Sequence, residues 1–189
     1  MSEQPPLRDA IVGEKTLYEG RAYDFVELTL RQPDGSTRPR PIVRHRGAVV
    51  VVPILEQPGR SPKIVTVVND RHTIGGRLDE LPAGGIEDCE TPEDAAAREL
   101  KEETGYSAAS LYPLGRFYTT PGITDELMHA YAAVGLIQGS QALEDDESLT
   151  VRVRTSQEFF EMIDNGELSD GKSILATLLA QRAGYLEQD

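Results

Sequence analysis

Hydrophobic and polar positions change period several times along the chain, and each change predicts an element. Residues 1–14 are polar and proline-bearing, with little to bury, and are expected to form a loosely held arm. Residues 16–18 and 23–30 have strand character: Phe25, Glu27 and Thr29 alternate with Val26, Leu28 and Leu30. Pro33, Asp34, Gly35 and Ser36 make a turn, and residues 38–44 return as the partner strand. An isolated hairpin is marginal in water. It is expected to dock on the rest of the chain or on a second copy, and exchange of such an element between protomers is a low-cost route to a dimer.

Ala48–Leu55 (AVVVVPIL) is a continuous apolar run, the pattern of a strand buried on both faces. Residues 57–62 form a loop, and residues 63–68 (KIVTVV) a second apolar strand, so that the two predict a hairpin of core strands. A polar segment, NDRHTIGGR, follows. Residues 78–81 then lead into Pro82, Ala83, Gly84 and Gly85, small enough for the backbone to approach a ligand or metal closely. Thr91 as N-cap, Pro92 at the first helical position and Asp94 as a capping-box variant start a helix that Gly105 ends.

Residues 112–119 and 129–136 read as strands on either side of the loop TTPGITDE. Residues 138–146 are polar and acidic, and residues 149–153 alternate as a half-exposed strand. Thr155 and Glu158 form a capping box before a helix closed by Asn165 and Gly166. A last helix from about Gly171 to Arg182 carries Ile174, Leu175, Leu178 and Leu179 as its apolar stripe. This order predicts an α/β chain of the α+β type: a mixed sheet between helices, with a small N-terminal antiparallel sheet. The division expected is an arm and hairpin over residues 1–46 and a main domain over 47–189.

Charge narrows the function. With 32 acidic against 19 basic residues in 189 and a net charge of -13, nucleic acid and anionic membranes are not expected as partners. A small polyanion still fits if metal ions and local arginines reverse the field. The single cysteine, Cys89, makes no intrachain disulfide, and no apolar run approaches a membrane span. The N-terminal MSEQPPLRDA has neither a basic nor an apolar signal region, so a soluble cytoplasmic protein is expected.

The chemistry concentrates in residues 84–106, GGIEDCETPEDAAARELKEETGY. On the predicted helix Glu99, Glu102 and Glu103 stand at i, i+3 and i+4 and share one face near the C-terminal end. Both their mutual repulsion and the helix dipole oppose that placement unless a cation lies there. Arg98 is one candidate; a hard divalent metal taking carboxylate and phosphate oxygens is the other. His45, His72 and His129 lack metal-ligand spacing, and Cys89 lacks an evident base.

Gly84, Glu90, Arg98, Glu99, Leu100, Glu102, Glu103, Gly105 and Tyr106 fill every position of the Nudix box, and the chain resembles that family over about residues 16–185. Glu80 to Gly84, the loop from Thr120 to Glu126 and the tail GELSD at residues 166–170 resemble its ADP-ribose pyrophosphatase branch. The resemblance implies a Nudix fold and hydrolysis of the pyrophosphate bond of ADP-ribose to AMP and ribose 5-phosphate. GDP-mannose or another nucleoside diphosphate sugar is the alternative substrate, and a non-catalytic nucleotide sensor the other reading. The resemblance further implies Mg²⁺, with Mn²⁺ as alternative, on Glu99, Glu102, Glu103 and the Ala83 carbonyl. Glu102 is also a candidate to hold a metal-bound water. Glu126 and Glu147 compete as general base, with Glu147 preferred, and Arg40, Arg71, Glu80 and Glu126 are the substrate contacts implied. The chain departs from the family at Asn69-Asp70-Arg71 and at Arg44. A homodimer is expected.

Overall fold

The computed structural model describes residues 10–143 and 148–186. Two compact units emerge, one taking in the chain up to Gly47 together with Tyr118–Leu127, the other Ala48–Phe117 and the chain from Met128 onward.

In the first unit β1 (Ile11–Tyr18), β2 (Tyr23–Arg31) and β3 (Thr37–His45) form an antiparallel sheet in chain order. The alternation in β2 fixes which side is covered: Val26 and Leu28 are buried while Tyr23 and Phe25 stay exposed. The expected arm is corrected from Ile11 on, because Ile11 pairs with Leu30 and Glu14 with Leu28. Backbone pairing, not apolar content, recruits these residues.

The second unit contains β4 (Ala48–Leu55), β5 (Lys63–Arg71), β6 (Gly76–Glu80), β7 (Ala83–Gly85), β8 (Tyr106–Tyr118) and β9 (Leu127–Gln138) apart from their end residues Tyr118 and Leu127, and β10 (Leu149–Thr155). Its sheet runs β10-β5-β4-β9-β8, with β4 and β9 parallel and the other registered pairs antiparallel. Helices α1 (Pro92–Thr104), α2 (Ser156–Asp164) and α3 (Gly171–Arg182) cover it. The period of two in β4 serves both faces. Val49 and Val51 join Ala95, Ala96 and Leu100 of α1, whereas Val50, Val52 and Ile54 join Phe159, Phe160, Ala176 and Ala180 of α2 and α3.

The expected hairpin of core strands is only partly formed. β4 and β5 pair at Ile54 with Ile64 and Leu55 with Lys63. Beyond that point β6 adds to β5 and β7 adds to β4, which places the link from Glu80 to Ala83 between two diverging strands. β5 runs past Val68 into the polar segment, where a cross-strand pair of Asp70 and Arg77 at 2.7 Å suits a partly exposed ladder. β8 likewise begins at Tyr106 rather than 112: its Ser and Ala residues carry no strand signal, yet Ala109 lies directly against Gly135 of β9.

Both capped helices begin where their caps predict. The Thr91 hydroxyl accepts from the Asp94 N–H at 3.2 Å, and Thr155 with Glu158 completes a reciprocal capping box. The stripe expected on α3 is corrected in part: Ile174 and Leu179 pack against the core, but Leu175 and Leu178 do not. Ser173, Ala176, Thr177 and Ala180 form its buried face, while Leu175 and Leu178 are 37 % and 38 % exposed.

Candidate active site

Helix α1 presents its carboxylates to the strand that precedes it. Glu99 and Glu103 are buried, and Glu102 is about one-third exposed. The Glu99 carboxylate lies over Gly84, where a β-carbon would overlap it. Glycine is required there by close approach rather than by backbone twist. One turn on, a Glu103 oxygen accepts from the Ala83 N–H at 3.0 Å. The diverging strands thus bring the Ala83-Gly84 backbone against two successive turns of α1.

Arg98 organises the exposed side of this cluster. Its Nε and Nη2 donate to Glu90 at 2.9 and 3.0 Å, Nη2 also reaches the Gly85 carbonyl at 2.8 Å, and Nη1 reaches Glu99 at 2.6 Å and Glu102 at 3.1 Å. The bonds to Glu90 hold Arg98 well above its already high ordinary pKa, and they hold Glu90 below the usual carboxylate range. Glu90 is aimed by a tight turn: its N–H donates to the Glu87 carbonyl at 3.2 Å while Cys89 takes the left-handed φ of 67°. Cys89 itself is exposed.

The C-terminal end of α1 is also covered. Gly105 at φ 76° donates to the Lys101 carbonyl. Ala142 N–H and Gln141 Nε2 then donate to the carbonyls of Glu102 and Glu103 at 3.0 and 2.6 Å. Caps of this kind satisfy the last-turn acceptors whose partial negative charge opposes glutamates at that end.

Among the described residues no three His, Cys, Asp or Glu side chains converge as a ready metal cluster. In this arrangement Arg98 bonds Glu99 and Glu102, and Ala83 N–H bonds Glu103. The donors are nevertheless of one kind: carboxylate oxygens from adjacent turns against a backbone strand, the set a hard divalent cation takes. With the glycine cradle under Glu99, the residues fit such an ion.

A second cluster in the same unit surrounds Glu80, which is 2 % exposed. Arg71 binds it through Nε and Nη2, both at 2.6 Å, and Lys172 Nζ donates to Glu80 at 2.6 Å and to Asp170 at 3.0 Å. Burial would raise the Glu80 carboxyl pKa; Arg71 and Lys172 outweigh it and hold the group below its ordinary range. Glu80 is therefore inside the protein, with Arg71 between it and solvent. The sequence offers Glu80 and Arg71, and Asp170 only as the end of the GELSD tail, but not Lys172. The available signal was Asp170 three residues before Ser173, an N-cap pattern that directs Lys172.

In the first unit Glu126 accepts from the Thr119 hydroxyl at 2.5 Å, and its other oxygen is 3.6 Å from His45 Nε2. His45 Nδ1 accepts from the Gly47 N–H at 3.0 Å, which leaves the proton of a neutral ring on Nε2, facing Glu126. His45, set aside in the sequence for want of metal-ligand spacing, stands beside Glu126. Arg40 donates to the Gly122 carbonyl at 3.1 Å. Arg44 joins Asp125 at 2.7 Å and Glu14 at 2.5 Å, so this departure from the family pattern builds an ion-pair triad. Glu147 lies outside the described residues.

The chain is similar to known proteins in sequence and fold. A NUDIX domain profile matches residues 44–176. An ADP-ribose pyrophosphatase of Bacillus subtilis (strain 168) is 31 % identical over 172 residues, 90 % of this chain and 91 % of that protein. A methanol dehydrogenase activator of Bacillus methanolicus is 35 % identical over 177 residues, 93 % of this chain and 94 % of its own. A crystal structure of an ADP compounds hydrolase superposes with a TM-score of 0.76 at 20 % identity, covering 93 % of this chain and 96 % of the other. No helix among the described residues is long and apolar enough to cross a membrane.

Proposed function

The chain belongs to the NUDIX family, and on that premise we propose that this pyrophosphohydrolase takes ADP-ribose among the nucleoside diphosphate sugars, releasing AMP and ribose 5-phosphate. The observation that carries the reading is the fit of Glu99 over Gly84 with Glu103 on Ala83, a family box whose side chains meet the backbone they must meet. Glu99, Glu102, Glu103 and the Ala83 carbonyl would hold Mg²⁺, with Mn²⁺ the alternative. Such an ion, when bound, offsets pyrophosphate charge and makes a bound water acidic enough to attack. Arg98, held in place by Glu90, orients Glu99 and Glu102.

A carboxylate must take the proton of the attacking water. Glu147 is preferred for this by family resemblance. Glu126, with one oxygen held by Thr119, is the competing base or a contact to the terminal ribose. Arg71 supplies a planar donor edge for phosphate or base, and Arg40 a second; Glu80 serves substrate binding through Arg71. We further propose that residues 1–46, with the three-stranded sheet in place of the hairpin expected, are exchanged in a homodimer, with 47–189 as the hydrolase domain and the cytoplasm as its location. Light scattering at micromolar concentration tests the dimer, and a monomer ends that part.

Incubation with ADP-ribose and Mg²⁺ is expected to yield AMP and ribose 5-phosphate, read by chromatography, with kcat/KM above that for GDP-mannose. Glu103→Gln is expected to lower kcat by roughly 10²–10³-fold or more, the scale of losing one electrostatic group at a reacting centre. Its circular dichroism should match the parent. Undiminished turnover in that variant would remove Glu103 from the site. The relative named as a methanol dehydrogenase activator suggests a second assay: stimulation of such a dehydrogenase, with and without Glu103→Gln. The hydrolytic reading is preferred because the box carboxylates are all present.

A further inference from the structure

Arg71, in the reading above, offers its guanidinium to an anionic substrate while also neutralising the buried Glu80. Two anions then compete for one cation. Nε and Nη2 of Arg71 are bonded to Glu80, whereas Nη1 makes no protein hydrogen bond among the described residues, and the side chain is 41 % exposed. If Arg71 were the only partner of Glu80, a phosphate approaching Nη1 would compete with a carboxylate that has no access to water.

Lys172 resolves the competition. Its ammonium donates to the Glu80 oxygen that also receives Arg71 Nη2, and the Lys172 side chain is only 15 % exposed, so it faces the carboxylate rather than a ligand. The first turn of α3 fixes the lysine from below. Asp170 accepts from Lys172 at 3.0 Å, and from the Ser173 N–H and hydroxyl at 3.1 and 2.5 Å. Ser173 Oγ in turn accepts from the Leu81 N–H at 2.7 Å. The same turn therefore grips residues 80 and 81 through both side chain and backbone.

We propose that Lys172, with Asp170, is a positioning residue for substrate binding: it carries the charge balance of buried Glu80, so that Arg71 keeps a fixed and available edge for the substrate's phosphates. The inference rests on the assignment of Arg71 to the substrate. It separates two kinds of cation at the site, an arginine that shares itself with the ligand and a lysine that never leaves the protein.

Steady-state kinetics with ADP-ribose and Mg²⁺ tests it. Lys172→Met is expected to raise KM by about 10-fold or more, because misplacing a binding group by even an ångström is costly, and kcat should fall by less. Lys172→Arg should restore most of the affinity, and adding Lys172→Met to Arg71→Ala should raise KM no further. A folded Lys172→Met with parental KM, or an undiminished effect in the Arg71→Ala background, overturns the proposal. Should Lys172→Met not fold, Asp170→Asn, which keeps an N-cap but loosens the lysine, must raise KM in the same direction; parental KM there overturns it equally. Unchanged KM in Arg71→Ala overturns the underlying assignment of Arg71, and the two failures are thereby distinguished.

Discussion

Gly84 is the position where one absent carbon matters most. Its open α-carbon lets the Glu99 carboxylate lie on the backbone, and any β-carbon would overlap that group. Gly84→Ala is expected to displace Glu99 and to cost about 1–3 kcal/mol of stability, as overpacking of a closed site does. Turnover should fall far more than the stability loss explains. Denaturant titration beside kcat/KM measures both, and a variant with parental turnover would show that Glu99 works from elsewhere. Arg98 shows the complementary case, in which many contacts serve one end. It ties a loop residue, Glu90, to two helix residues, Glu99 and Glu102, and so fixes the face that the sequence could only describe as acidic.

At the scale of elements, local chemistry and tertiary packing divide the work. Thr91, Pro92 and Gly105 bound α1 as their residue types predict, and Thr155 with Glu158 does so for α2. The face of α3 did not follow from its pattern. Ala176, Thr177 and Ala180 are buried because α3 lies close on the sheet, where only small side chains fit, with Ile174 and Leu179 at the edge of the core and Leu175 and Leu178 left toward solvent. Ala180→Leu should therefore destabilise by about 1–3 kcal/mol, whereas Leu178→Ala should stay near the roughly 0.5 kcal/mol of an ordinary surface change. Thermal melts of the two variants decide between the faces; a larger loss from Leu178→Ala would restore the leucine stripe.

For the whole molecule, the net charge of -13 makes placement of the few cations decisive. Glu80 and Glu90 in one unit, and Glu14 and Asp125 in the other, each have a pKa below the ordinary value because an arginine or lysine bonds them. A carboxylate whose folded pKa is depressed binds fewer protons folded than unfolded. Its contribution is therefore fully present above the unfolded value, 4.5 for Glu80, and is lost as pH falls through the lower folded value. The urea midpoint should drop as pH falls below about 4.5, and the stability gap between the parent and Glu80→Gln should narrow over that window. A gap independent of pH would mean that Glu80 contributes by shape alone.

Most of the element order, the mixed sheet between helices, and the box of residues 84–106 were legible in the chain, since periodicity, caps and the spacing of carboxylates are local properties. β1 from Ile11, β5 beyond Val68 and β8 from Tyr106 were not, because their residues become strands through pairing with distant partners. By itself the sequence pointed to the reaction class through its resemblance to the Nudix box, since three glutamates on one helical face are otherwise an ordinary solvated surface. Only the tertiary structure decided where the cations go. Arg98 reaches back eight residues to Glu90, and Lys172 reaches across 92 positions to Glu80. Such pairs leave no period in a sequence, because a buried carboxylate takes the nearest cation in space, however far along the chain it lies.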